Sequence, residues 1–304
     1  MVNMYLNNRK KEIPLSLRRN SFNLNMMLPA IVFILFVMVF PVIYSFVMSL
    51  FDWRLGKTPK FIGIENYINI FKIPDIAHSV WITVLFALVV TALAIVFGLF
   101  LAVLLNMDLR GSNLIMALLL IPWALPPVVV GLMWKWIFSP RLGTFNNILI
   151  AMGLLNNFRE WQSEQWPAFI MIVLTTVYKI LPITVFLLSA SLKTIPKELY
   201  EAAGVDGMSP VGRFFSITLP LVRPSMVIVF ILLSVETFKA FDLIYILTRG
   251  GPGNFTSVLN YISYLYSFTF MKFGLGAAIA FFVSLLIIII SVFYYRITYR
   301  EVRY

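Results

Sequence analysis

Cysteine is absent from the 304 residues of this chain, and histidine occurs only once, at His78. Without cysteine the protein can have no disulfide framework, no thiolate chemistry and no cysteine-based metal site. A single histidine cannot form a zinc site alone, because such sites take three or four protein ligands. We therefore expect no metal in this chain, and we expect His78 to be a surface residue without partners at the outer edge of a membrane span.

Charge is also scarce. Only 12% of the residues are charged and 61% are hydrophobic, whereas soluble domains are about 25% charged and about half apolar. Together with a mean hydropathy of +0.91, this composition excludes a soluble globular domain and indicates a polytopic membrane protein. The net charge of +11 then fits loops that face anionic lipid headgroups, rather than a surface that binds nucleic acid.

Apolar runs long enough to cross a bilayer, which takes about 20 helical residues, occur six times. Continuous runs of this length favour helices over barrel strands, which alternate apolar and polar residues. The predicted spans are residues 26–51, 80–106, 113–138, 166–192, 221–247 and 273–295. Prolines inside these runs predict kinks; they are Pro29, Pro41, Pro122, Pro126, Pro127 and Pro182. The predicted fold class is an all-α polytopic membrane protein with six transmembrane helices.

The distribution of lysine and arginine predicts the orientation. If both termini are cytoplasmic, the loops on the inner side carry more of these residues than the outer loops, as the positive-inside rule requires. Residues 1–25 are polar and basic, and the apolar run after them is too long for the core of a signal peptide, so no cleavable signal is expected. Residues 1–25 form either a short interfacial helix or a disordered basic tail. Residues 26–304 are expected to form one membrane domain.

A hydrophilic stretch, residues 193–220, separates the fourth and fifth predicted spans, and the orientation places it in the cytoplasm. Pro196 predicts the start of a short helix, and Glu198 in its first turn suits the helix dipole. Gly207 predicts the end of that helix. Ser209 followed by Pro210 predicts a second short helix, with serine as the cap and proline at the first position.

The first of these helices has the composition of a docking element. Ala202, Ala203 and Gly204 would form a smooth face that another backbone can approach closely, and Glu201 and Asp206 offer hydrogen-bond acceptors beside it. The alternative is a plain interfacial linker helix, which is common in membrane proteins.

A nucleotide site within the chain is not indicated. The spacing from Gly207 to Gly212 resembles that of a phosphate-binding loop, but the stretch lacks the Lys-Ser/Thr pair and contains Pro210. No other nucleotide-binding signature is evident. If the protein uses ATP, another chain must bind it.

Lys179, Glu236 and Lys239 are charged residues that fall inside predicted spans. A charge in a membrane costs about 2.5–3.5 kcal/mol on insertion scales, so each should face a cavity or a partner. Glu236 and Lys239 are three residues apart on one helix and can pair. The charges either neutralise each other as structural contacts or border a polar path for a solute, together with Tyr178, Thr237 and Phe241.

Several stretches resemble the binding-protein-dependent ABC importer permeases, the inner-membrane components of those transport systems. "EAAGVDGMSPVGRFFSITLPLVRP", residues 201–224, resembles their EAA loop, and "LKTIPKELYEAAGVDG" is similar to the carbohydrate-importing, maltose-type branch. "YILTRGGPGNFTSVLNYISYLYSFTFMKFGLGAA" resembles the larger of the two permease subunits in that branch. The likeness covers nearly all of the chain after about residue 25 and corresponds to a compact six-span version.

The resemblance implies roles for particular residues. The EAA loop of the family forms a coupling helix that sits in a cleft of the ATPase, which implies a contact made by Glu198, Glu201, Ala202, Ala203, Gly204, Asp206 and Gly207. Alignment with the solute site of the maltose-type permeases points to Lys179, Ile180, Ile183, Leu233, Thr237 and Ala240. Several of these are apolar here, which suggests a different sugar or a site shared with Glu236 and Lys239.

The partners implied are a second permease, two ATP-binding cassette ATPases and an extracytoplasmic solute-binding protein, in a prokaryotic cell membrane. The chain itself would hold no cofactor and catalyse no reaction, because ATP and Mg²⁺ would be bound by the ATPases. An alternative is a stand-alone ion-coupled secondary transporter or channel, for which Lys179, Glu236 and Lys239 could form an ion site. Six spans without a visible inverted repeat argue against it. A membrane enzyme is disfavoured, because no nucleophile triad, metal cluster or paired carboxylates occur in the loops.

Overall fold

A computed structural model describes residues 26–107 and 111–298 of the chain. The predicted N-terminal interfacial helix or tail, residues 1–25, lies outside the described residues. In chain order the elements are α1 (Met26–Ser49), β1 (Phe51–Asp52), β2 (Lys60–Phe61), α2 (Glu65–Lys72), α3 (Pro74–Leu105), α4 (Ser112–Leu119), α5 (Ile121–Ala124), α6 (Pro127–Ile137), α7 (Thr144–Ala151), α8 (Gln165–Leu192), α9 (Lys197–Val205), α10 (Pro210–Phe238), α11 (Asp242–Leu247), α12 (Leu259–Tyr264) and α13 (Phe273–Thr298).

Within the described residues, five helices are long and apolar enough to cross a membrane, namely α1, α3, α8, α10 and α13, and a bent pair raises the number to six. The prediction of an all-α, six-span membrane protein is thus confirmed if the bent pair is one span. The chain divides into two compact units at Met48 and Ser49. The first unit contains most of α1, in which the rings of Phe36, Phe40 and Tyr44 stack at intervals of four residues.

Helices α3 and α8 form the core of the second unit. Phe86 and Val90 of α3 are fully buried in the same cluster as Met171 of α8. The two helices come especially close at Gly98, where an added Cβ would lie 2.5 Å from the Cγ2 methyl of Thr184. Such a distance is too short for two carbon atoms, so only glycine fits at this crossing.

The third span is broken. Helices α4 and α5 run from Ser112 to Ala124, and α6 then leaves at an angle of 97°. Leu125 and Pro126 between them are extended, with ψ values of 142° and 140°. A proline disfavours helical backbone at the residue before it, and the Pro126-Pro127 pair restricts two successive residues in this way. The predicted proline kink is thus confirmed, whereas the prediction of a single helix over 113–138 was wrong.

The fifth span also differs from its predicted limits of 221–247. Helix α10 begins at Pro210, so the predicted second short helix is not separate but continues through a π-helical turn, Phe214–Thr218, into the span. The span ends at Phe238, and Asp242–Leu247 form the separate helix α11. The side-chain amide of Asn260 donates to the Lys239 carbonyl at 2.9 Å, which satisfies a backbone group where the helix stops.

The loops between spans are ordered by buried amides and hydroxyls. The β1–β2 hairpin pairs Phe51 with Phe61, and Asn66 donates to the Phe51 carbonyl at 2.9 Å. Asn146 accepts a hydrogen bond from the Trp161 indole at 2.9 Å. His78, expected to lack partners, instead lies in α3 with its ring 5.8 Å from that of Phe255.

Candidate coupling loop and solute pathway

Helix α9 has the cap structure that its sequence predicts. Glu198 lies in its first turn. At the other end Gly207 adopts a φ of 74°, which glycine reaches without steric cost. The Gly207 amide donates to the Gly204 carbonyl at 3.1 Å, and the Met208 amide donates to the Ala203 carbonyl at 2.9 Å. This pair of bonds is a Schellman motif, so Gly207 defines the end of α9 and the direction of the turn after it.

The two sides of α9 differ in character. The side chains exposed on one side, at helical spacing, are those of Glu198, Glu201, Ala202 and Val205, and Val205 is 89% exposed. Ala203 is buried against the rest of the unit. It therefore does not share the exposed face with Ala202, because residues one apart on a helix point about 100° apart. The exposed face consists of two carboxylates beside small and apolar side chains.

Hydrogen bonds connect α9 to α10. The Tyr200 and Thr218 hydroxyls lie 2.9 Å apart. The Ser209 hydroxyl accepts from the Gly212 amide at 3.2 Å, as predicted for a cap. The Arg213 Nε donates to the Met208 carbonyl at 3.0 Å, across the turn. A displacement of α9 would therefore be transmitted directly to α10.

Lys179 of α8 binds backbone carbonyl groups at the break in the third span. Its ammonium group donates to the Leu125 carbonyl at 2.8 Å and to the Trp123 carbonyl at 3.3 Å. These carbonyls lose helical partners because the helix stops at the Pro126 break. The Glu236 and Asp242 carboxylates lie close enough to attract Lys179 electrostatically. Lys179 is thus held by backbone acceptors that the sequence did not reveal.

Glu236 and Lys239 form the predicted pair, with the carboxylate and the ammonium 3.3 Å apart and the two side chains 63% and 58% exposed. Exposure separates the predicted pathway residues into three groups. Glu236 and Lys239 are exposed, Tyr178, Lys179, Ile183, Ala240 and Phe241 are partly buried, and Ile180, Leu233 and Thr237 are buried. The Thr237 hydroxyl donates to the Leu233 carbonyl at 2.9 Å within the helix. The buried three therefore contribute to packing in this conformation, and the open surface is at Glu236 and Lys239.

An aromatic cluster, of which the sequence analysis named only Phe241, adjoins this surface. The rings of Phe241, Tyr245, Tyr261, Tyr264 and Phe268 form a chain of neighbours with centroids 5.0–6.4 Å apart. Burial raises the pKa of the Tyr261 phenol, so this group stays protonated and can donate a hydrogen bond. The recurrence of aromatic residues between 241 and 268 was the available signal, but it was divided between the predicted fifth span, which ended at 247, and the predicted loop after it.

The segment after α11 is packed tightly against α3. Gly250 has a φ of 79°, and a Cβ there would lie 2.1 Å from the Ser257 hydroxyl oxygen. The Thr256 hydroxyl donates to the Gly251 carbonyl at 2.7 Å, and the Leu259 amide donates to the Thr83 hydroxyl at 2.8 Å. The "GGP" segment is therefore a fixed part of the surface at this end of the molecule.

Solved structures show the class of fold. A chain of a bacterial ABC transporter that imports the acidic polysaccharide alginate superimposes with a TM-score of 0.81 over 95% of this chain and 99% of that one, at 18% identity. A chain of the MetNI methionine ABC transporter gives 0.52 over 73% of this chain and 94% of that one, at 17% identity. The fold is that of an ABC transporter membrane subunit.

Several relatives match this chain over most of their own length. The chain is 34% identical to the trehalose/maltose transport system permease protein MalF of Thermococcus litoralis, over 90% of this chain and 92% of that one. It is 36% identical to the sulfoquinovosyl glycerol transport system permease protein SmoG of Agrobacterium fabrum, over 88% and 87%. It is 34% identical to the sn-glycerol-3-phosphate transport system permease protein UgpA of Yersinia pestis, over 82% and 84%.

Residues 94–303 match the model of the binding-protein-dependent transport system inner membrane component. The chain belongs to this family and is a multi-pass permease of an ABC importer. The resemblance noted in the EAA loop is thereby confirmed at the level of the family.

Proposed function

We propose that this chain and a second permease form the membrane pathway for a sugar or related polyhydroxylated solute. An extracytoplasmic binding protein delivers the solute, and ATP hydrolysis on two separate ATPase subunits drives transport. The observation that carries this proposal is the exposed carboxylate face of α9, with Glu198 and Glu201 presented on a helix whose other side is packed on the span bundle. ATP and Mg²⁺ are bound by the ATPases, and this chain is non-catalytic.

The solutes named for three relatives support a sugar or related polyhydroxylated compound as the solute of this chain. The names of three relatives specify trehalose or maltose, sulfoquinovosyl glycerol and glycerol 3-phosphate, which are all rich in hydroxyl groups. Hydroxyl groups need donors and acceptors, and sugar rings have apolar faces that pack on aromatic side chains. Glu236 and Lys239 offer the former, and Phe241 with its aromatic neighbours offers the latter.

The hydrogen bonds between α9 and α10 supply the mechanical link. ATP-driven closure of the ATPases would displace α9, and the Tyr200–Thr218 and Arg213–Met208 contacts would move the start of α10 with it. The far end of α10 carries Glu236, so the motion would reach the solute pathway. Opening of the inner and outer gates in turn completes alternating access. This mechanism requires residues 193–220, and hence both termini, to be cytoplasmic.

Reversing the charge at Glu201 tests the proposed contact. In Glu201→Arg we expect the ATPase to dock about tenfold or more weakly, because a carboxylate that pairs across an interface is replaced by a like charge. ATP-driven uptake should fall in parallel, while membrane insertion is unchanged. The measurement is co-purification of the ATPase with the tagged permease, together with uptake in reconstituted vesicles.

Glu160→Arg is the matched control, because Glu160 is exposed in a loop at the other end of the bundle. This variant should retain the ATPase. Wild-type docking and uptake in Glu201→Arg would refute the coupling role. Uptake by the purified permeases without any ATPase would favour the ion-coupled alternative.

A further inference from the structure

A cavity of about 500 Å³ lies between α9 and the ends of the spanning helices, a size typical of small-molecule sites, which span about 300–1,000 Å³. Its walls come from the end of α3, the end of α8, the inner side of α9 and the start of α10. It is separate from the Glu236–Lys239 surface, which lies near the far end of α10.

Three cations line this cavity, Lys193, Lys197 and Arg213, and the described residues of its lining include no carboxylate. In the part of the chain that the structure describes, neither lysine forms a salt bridge. Lys197 and Tyr200 are three residues apart on α9 and both line the cavity; Lys197 is itself exposed and lies four residues before Glu201. Like charges gathered in one cavity favour an anion among them.

The uncharged residues of the lining indicate which other groups the ligand must contain. Asn106, Tyr200 and Thr218 supply polar groups, whereas Val103, Leu192 and Phe214 supply apolar surface. Helices α3 and α8 end at Leu105 and Leu192, so the cavity lies where these spans leave the hydrocarbon, at the depth of lipid headgroups. Basic pockets between transmembrane helices on the cytoplasmic side bind anionic headgroups. The apolar wall and this depth favour a lipid over a free phosphate ester.

We propose that this cavity binds the phosphate headgroup of an anionic phospholipid, with Lys193, Lys197 and Arg213 as the cationic contacts. The inference rests on the proposed function only in placing this end of the bundle at the cytoplasmic leaflet. Because α9 and the start of α10 form two of the walls, the bound headgroup fills the space behind the coupling helix. The headgroup thereby resists displacement of α9 into this space when the ATPase pushes on the helix.

The test uses the full chain purified with its second permease and ATPases, stripped of lipid in detergent and titrated with fluorescent phosphatidylglycerol. We expect Lys193→Gln/Lys197→Gln to bind the lipid about 25-fold more weakly, the product of roughly fivefold for each lysine. The matched control is Arg223→Gln/Arg296→Gln, which removes the same charge from exposed sites at the same end of the bundle and outside the cavity. The control should stay within about twofold of the wild type.

Equal affinities in the wild type and the Lys193→Gln/Lys197→Gln variant would overturn the proposal, as would an equal loss in the control. Inorganic phosphate or glycerol phosphate, added in excess, should not displace the lipid; displacement would instead identify a soluble phosphate ester as the ligand. Retention of the ATPase is measured in the same samples. Lipid binding and ATPase docking are thus read separately, and failure of one proposal is distinguishable from failure of the other.

Discussion

Lys179 illustrates how a residue can be recognised from sequence while its partners cannot. Its place in an apolar run predicted that it needs a partner, and the structure supplies two backbone carbonyls, those of Trp123 and Leu125. Rules for pairing side chains could not have found them, because the acceptors exist only where the third span breaks. By contrast, Glu236 and Lys239 pair as predicted, because their spacing on one helix is sufficient.

Removal of the Lys179 ammonium should therefore destabilise the folded backbone between α5 and α6. We expect Lys179→Met to lower the free energy of unfolding by about 1.5–3 kcal/mol, the range for hydrogen bonds to charged groups. The measurement is thermal or denaturant unfolding of the purified permease in detergent. Lys239→Met is the control and should cost less, because Lys239 is exposed and its ion pair is screened by solvent. Equal stability of Lys179→Met and the wild type would contradict this account.

At the scale of elements, helix existence could be predicted from sequence but the limits of two spans could not. The predicted run over 221–247 carries apolar residues on both sides of Phe238, where α10 stops, so hydropathy did not locate the boundary. Asn260, which binds the Lys239 carbonyl at that boundary, is distant in sequence. In the third span Pro126 and Pro127 signalled a kink, but the angle of 97° depends on the packing of α6 against the rest of the unit. Caps were predictable, because Ser209 and Gly207 act locally.

The crossing of α3 and α8 provides a prediction about elements. Gly98→Ala places a methyl group 2.5 Å from the Thr184 Cγ2 atom, and we expect a loss of about 1–3 kcal/mol in the free energy of unfolding from overpacking. Thr184→Ser removes that methyl group and keeps the hydroxyl that donates to the Ile180 carbonyl. The double variant Gly98→Ala/Thr184→Ser should recover most of the stability. Additive losses in the double variant, measured by unfolding in detergent, would show that the crossing is not tight.

At the scale of the whole molecule, composition was enough for the membrane class, and the EAA loop was enough for the family. The membrane class follows from the long apolar runs that lipid demands. The family followed from the likeness of the loop's residues to a known motif, because the charges and helix signals of the loop alone left a plain linker helix open. The surroundings of the proposed solute pathway were less predictable. Ile180, Leu233 and Thr237 are buried, while Tyr245 of α11 meets Tyr261 and Tyr264 of α12 across the loop between these helices.

The central claim is that the exposed face of α9 is cytoplasmic and is covered by the ATPase. Since the chain has no cysteine, Val205→Cys carries one thiol on the exposed face, and the valine side chain it replaces is 89% exposed. The most direct measurement is its labelling by a membrane-impermeant maleimide in sealed vesicles of both orientations, with and without bound ATPase. The account predicts labelling only in inverted vesicles and strong protection by the ATPase. Labelling in right-side-out vesicles, or equal labelling with the ATPase bound, would contradict it.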